Sequence, residues 1–164
     1  MAKMGIKLTV IMVLGVFLAF SASAQVEWTR ADLQGIYMEH LRQEGFLPSI
    51  DIDGDILFKV SGNSYFIIID DNDLPFFQIY MGFTLGEISE EDALNAANFT
   101  NRRSKVAKTT ISQDGRVASI TVELLLNDPR GFSSVLNRSL SLIRHAENIF
   151  KSQLKEIEVQ RELS

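Results

Sequence analysis

Residues 107–126 read AKTTISQDGRVASITVELLL. Asp114-Gly115 stands between two stretches in which apolar and polar residues alternate, the strongest short-range sign of a β-hairpin. The spacing pairs Ile111 with Ala118, Thr109 with Ile120 and Ala107 with Val122, all on one face. One tight hairpin commits its strands to run antiparallel.

Upstream of it, three more runs read as strands. Ile56–Val60 is short and apolar, and Ser61-Gly62-Asn63-Ser64 after it is turn chemistry. Tyr65–Ile69 is rich in β-branched and aromatic residues. A polar turn over Asp70–Asp73 and Pro75 leads to Phe76–Leu85, where Phe77, Ile79, Met81, Phe83 and Leu85 recur with a period of two. The three runs read as a meander.

Helices flank these strands. Thr29 with Asp32 forms a capping box, and Leu33, Ile36, Tyr37 and Leu41 follow at helical spacing. Gly45 is a natural stop, and Phe46 and Leu47 are expected to fold back onto the apolar face. Ser89 with Asp92 opens a second helix that runs to about Asn101, with Ala93, Leu94 and Ala97 inward. Asp128-Pro129 opens a third helix. Its apolar stripe is Phe132, Leu136, Leu140, Ile143, Ala146, Phe150, Leu154 and Ile157, with residues 156–164 expected to fray. The order is α-β-β-β-α-β-β-α: one α+β domain whose helices pack an antiparallel sheet.

Three segments carry a resemblance. Asp53-Gly54-Asp55-Ile56 opens the first strand. Ala97-Asn98-Phe99-Thr100-Asn101-Arg102 leads through Ser104-Lys105-Val106 into the Asp114-Gly115 hairpin. Val122-Glu123-Leu124-Leu125-Leu126 precedes the long helix. In order and spacing these resemble the YbjN family of bacterial sensory transduction regulators, whose fold is similar to type III secretion chaperones. Phe99 stands where the family often has tryptophan. The resemblance implies a non-catalytic regulatory or chaperone-like role and carries no catalytic residues over.

The N-terminus gives the compartment. Lys3 and Lys7 precede an apolar run from Leu8 to Phe20, and Ala22-Ser23-Ala24 offers a small-x-small cleavage pattern. Residues 1–24 thus read as a bacterial signal peptide and residues 25–164 as the domain, periplasmic or secreted. The run is short for a bilayer span of about 20 residues. With no cysteine in the chain, a lipid anchor, disulfides and thiolate chemistry are excluded. Removing Lys3 and Lys7 moves the net charge from −5 to about −7. Such an acidic chain suits neither nucleic acid nor anionic lipid.

Little here reads as catalytic, and no cofactor motif is present. His40 and His145 are the only histidines, both on helices beside apolar residues. An enzyme is not expected. Asp53, Asp55, Asp70, Asp71 and Asp73 form two acidic turns. If the first hairpin turned at Gly62-Asn63, Val60 would pair with Tyr65 and Asp55 would oppose Asp70, a repulsion that calcium could relieve. Neither turn has EF-hand spacing. The basic run Arg102, Arg103, Lys105 and Lys108 suits a helix C-terminus. Asn98-Phe99-Thr100 matches a glycosylation triplet by composition alone.

The most specific functional feature is apolar. Leu57, Phe66 and Ile68 alternate away from the core set, and Phe76 and Tyr80 join them. Either the protein's own helices cover this second face, or it meets a polypeptide partner or a second copy as a homodimer. The leading expectation is an exported protein-binding or chaperone-like module. The alternative is a small-molecule or calcium-sensing domain.

Overall fold

The computed structural model describes residues 27–74 and 76–163; the leader assigned to residues 1–24 lies outside them. The chain runs α1 (Arg30–Gln43), β1 (Ser49–Ile50), β2 (Ile56–Val60), β3 (Asn63–Ile68), β4 (Phe76–Thr84), α2 (Glu90–Arg103), β5 (Lys108–Ile111), β6 (Val117–Leu125), a 3-10 turn (Pro129–Gly131) and α3 (Phe132–Glu162). It is the α+β order expected, with one further strand. Ser49 and Ile50 pair with Leu57 and Ile56 as a two-residue edge, too short for alternation to reveal. The antiparallel sheet is ordered β1-β2-β3-β4-β6-β5.

The β5–β6 hairpin has the expected register, with Ile111 opposite Ala118 and Thr109 opposite Ile120. Its loop is wider than a two-residue turn. Gly115 donates to the Ser112 carbonyl at 2.9 Å and takes a φ of 70°, and Ser112 donates to the Val117 carbonyl.

The β2–β3 hairpin corrects its expected register. Val60 faces Asn63, not Tyr65, and Phe58 faces Tyr65. The turn is the two-residue Ser61-Gly62, with φ of 51° and 87°. Positive φ at both positions is the type I′ geometry, whose twist matches that of the strands. The change of register is two residues, so no side chain changes face. It does remove the supposed opposition of Asp55 and Asp70, because Ile56 pairs with Ile67.

One face of the sheet is core. Ile56, Phe58, Tyr65, Ile67, Phe77, Ile79, Met81, Ile120 and Val122 are buried together with Leu33, Tyr37 and Leu41 of α1 and with Phe132, Leu136 and Ile143 of α3. A second cluster joins Ala93, Ala96 and Ala97 of α2 to Leu85, Ala118 and Phe150. Small residues let α2 approach closely. Leu94, expected inward, is 44 % exposed, and Thr100 takes the inward place further along.

The helix ends are built as the sequence suggests, with two exceptions. Thr29 and Asp32 form the full capping box. At the far end of α1, Phe46 donates to the Leu41 carbonyl and Gly45 to that of Arg42, a Schellman closure. Phe46 packs beside Phe58 at 5.4 Å; Leu47, expected to fold back with it, is 93 % exposed. α3 stays helical to Glu162 instead of loosening at Glu156. Arg161 reaches across to Asp92 at 2.6 Å and to the Ser89 hydroxyl at 3.3 Å, fastening the last turn to the start of α2.

Candidate functional site

Strand alternation sends every second side chain of the sheet away from the helices. On that side Leu57 pairs with Phe66, Phe66 with Tyr80, and Tyr80 with Thr121. These make a continuous row across four strands. The Phe66 and Tyr80 rings stack at 4.9 Å with their planes 12° apart. Beside this row lie Ile68, opposite Gln78, and Phe76, opposite Leu125. Leu57, Phe66, Ile68, Phe76 and Tyr80 are all half-buried, and none belongs to or packs against either core cluster. Among the described residues, no helix lies over them. Of the two readings the sequence left open, self-cover by α3 is the one displaced: α3 spends its apolar stripe on the opposite face.

Sequence reading missed two members of this surface. Leu125 is 85 % exposed, and its parity with Glu123 on β6 was the available signal. Leu47 stands at the rim, next to a groove of about 330 Å³ lined by Phe46, Ser49, Leu57 and Lys59 where β1 leaves β2. On the other side of the aromatic row the surface is low. Gly82 sits between Ser119 and Tyr80, whose side chains would lie 3.7 Å from a Cβ placed there.

The acidic turns meet at one corner of the sheet, where Arg30 takes the place imagined for calcium. Its guanidinium bonds both Asp71 oxygens, at 2.8 and 3.0 Å, the Ile69 carbonyl at 2.6 Å and the Asp53 carbonyl at 3.2 Å. Asp55 lies 4.0 Å away. Three of the remaining carboxylates bond backbone. Asp51 accepts from the amides of Asp53 and Asp55, Asp55 from that of Ile69, and Asp70 from that of Asn72. Asp73 contributes through its main chain, accepting from Phe76 and donating to Asp70. Among the described residues, no three acidic or histidine side chains are grouped to hold a metal ion. The cross-strand opposition that suggested calcium belongs to the expected register and not to the observed one, and Arg30, far away in sequence, supplies positive charge at this corner.

Electrostatics at the corner pull two ways. The hydrogen bond and charge of Arg30 hold Asp71 below the usual carboxylate range. Burial raises Asp55, with Asp51 and Asp53 adding to it and the Ile69 amide and Arg30 opposing. Burial also raises the Tyr80 phenol, and the charges of Asp55, Asp51 and Asp53 raise it further, so the field of the corner reaches the apolar face. The Asp71 pairing is complete above the ordinary carboxylate pKa near 4 and is lost as pH falls through the lowered folded value. Arg30→Met is therefore expected to lower the Tm by a few degrees at pH 7 and to leave a smaller gap at pH 2.5. A gap that widens in acid would contradict the pairing.

The histidines are not brought together. His40 is half-buried, edge-on to Phe132 at 5.1 Å, with Nε2 4.0 Å from Glu44. His145 is exposed on α3, thirteen positions beyond Phe132, or about 20 Å along the helix. The basic run is spread out: Arg103 lies over the Phe99 ring at 3.5 Å, and Lys108 pairs with Glu123 at 2.6 Å. Thr100 of the glycosylation triplet is buried and donates to the Ala96 carbonyl.

No family model and no curated protein matches this chain, so the YbjN resemblance gains nothing from either comparison. Among solved structures, an uncharacterized protein from Methanothermobacter thermautotrophicus is similar at 14 % identity with a TM-score of 0.58, covering 76 % of this chain and 97 % of its own. At that identity the likeness is one of fold alone. The Yersinia pestis type III secretion chaperone SycH, in complex with a stable fragment of YscM2, aligns at 16 % identity with a TM-score of 0.45, covering 71 % of this chain and 98 % of its own.

Proposed function

We propose that this protein is an exported, non-catalytic module that binds another polypeptide through the helix-free face of its sheet. One observation carries the reading: Leu57, Phe66, Ile68, Phe76 and Tyr80 are neighbours on that face and pack against neither core cluster. A contiguous apolar surface of this kind marks an interaction site. Covering it is favourable by about 25 cal/mol per Å². The leader supports export, and the acidic balance turns the module away from nucleic acid. The resemblance to the YbjN family implies the same kind of role and is kept as part of this reading.

The test is direct binding. The immobilised protein is expected to retain a polypeptide from an extract of its own export compartment. Once identified and made separately, that polypeptide should bind with a Kd of about 1 μM or tighter. Leu57→Ser combined with Ile68→Ser should abolish binding while the Tm stays within a few degrees. Undiminished binding by the double variant would overturn the proposal.

A further inference from the structure

Resting on that reading, we infer that the occupant of the bare face is an amphipathic helix. Its apolar side lies on the Leu57–Phe66–Tyr80 row, and its Lys or Arg side chains reach the acidic corner at Asp51, Asp53 and Asp55.

The helical form follows from where backbone bonds are available. The sheet face offers no unpaired main-chain groups, so a strand laid flat on it would leave its own amides and carbonyls unmatched. A helix arrives with those bonds already made. Addition of a strand at an edge is obstructed at β5 and, at the other edge, limited to Phe58–Val60, the end of β2 that β1 leaves uncovered. On β5, Asn101 accepts from the Thr109 amide at 2.7 Å and donates to its carbonyl at 2.9 Å, closing that position to a newcomer. The opposite edge is two residues long and is preceded by Pro48, which has no amide hydrogen; both are devices that blunt an edge.

The charge follows from the corner. Arg30 is committed to Asp71 and to two carbonyls, while among the described residues Asp51, Asp53 and Asp55 have no side-chain cation within bonding distance apart from Arg30 at 4.0 Å from Asp55. Their field reaches Tyr80 in the apolar row. A cation there meets negative potential beside an apolar platform. A second copy would bring the same excess of acid, 21 acidic residues in each chain, against itself.

Three fluorescent 18-residue peptides test this. They share one leucine stripe and differ only in their polar positions: all lysine, all glutamate or all glutamine. With the purified protein, the lysine peptide is expected to bind at least tenfold tighter than the other two and to weaken as NaCl rises from 50 to 500 mM. Asp51→Asn, Asp53→Asn and Asp55→Asn together keep each amide-accepting oxygen and should remove most of that preference. Leu57→Ser with Ile68→Ser should remove binding. Equal affinity for all three peptides, abolished by the serine double variant, overturns the charge inference and leaves the docking face standing. Lysine-peptide binding that survives the serine variant overturns both at this surface. A dimer of the protein that the serine variant dissolves names a second copy as occupant and overturns the helix. No binding by any peptide overturns the helix too, while the captured polypeptide remains the separate test of the face.

Discussion

Phe132→Ala is expected to lower the unfolding free energy by about 3–5 kcal/mol. The side chain is 0 % exposed. Its ring lies 4.5 Å from that of Tyr37, 5.1 Å from His40 and 5.9 Å from Phe77. It therefore joins the first residue of α3 to α1 and to β4 at one point, and packed aromatic pairs add to simple area burial. The two core rings beside it are held in place on all sides. Tyr37 is 1 % exposed and Phe77 0 % exposed, so the cavity would persist. A domain of this size has about 5–15 kcal/mol in all, so the variant should keep about four fifths of its stability at best, with a Tm lower by about 10–20 °C. Phe99→Ala provides the contrast. That ring is half-buried on α2 beneath Arg103, and its loss should cost about 1 kcal/mol. Urea unfolding with an unchanged m-value separates the two cases. A loss below 1 kcal/mol at Phe132 would mean that α3 is not seated as described.

Much of this fold is written locally in the sequence, because caps, turns and alternation act over a few residues. The Thr29–Asp32 box, the Gly45 stop and the Ile111–Ala118 register all follow from neighbours in the chain. The first hairpin shows how far such reasoning carries. The turn lies one residue earlier than expected and the register shifts by two, yet Phe58 and Ile67 stay in the core and Leu57 and Ile68 outside it, because parity survives an even slip. What the slip destroyed was the calcium argument, which depended on one specific cross-strand pair. Long-range features left no local trace. Arg30 meets Asp71 forty-one positions away, and Arg161 meets Asp92 across two helices. The candidate face itself was legible from alternation. Whether a helix covers it was not, since a strand buried on both sides and one awaiting a partner have the same apolar pattern.

That ambiguity can be resolved at two adjacent residues. Ile67→Lys is expected to abolish folding or to cost more than about 4 kcal/mol, whereas Ile68→Lys should cost about 1 kcal/mol or less. Ile67 is 0 % exposed and paired with Ile56 and Ile79. An ammonium there would sit within the apolar core cluster, and burying an unpaired charge is prohibitive. Ile68 is half-buried on the other side, opposite Gln78, where a lysine can extend its stem along the strand and keep its charge in water. The acidic turns at this end of the sheet favour a cation. Strand propensity changes the comparison little, because both substitutions are isoleucine to lysine in the same strand. Circular dichroism and urea titration of the two variants give the result directly. If Ile68→Lys unfolds the chain as Ile67→Lys does, the second face is core and the docking surface does not exist. If Ile68→Lys folds normally, the same protein places a positive charge in the centre of the proposed site. It should then repel the lysine peptide and accept the glutamate one better than the unmodified protein does.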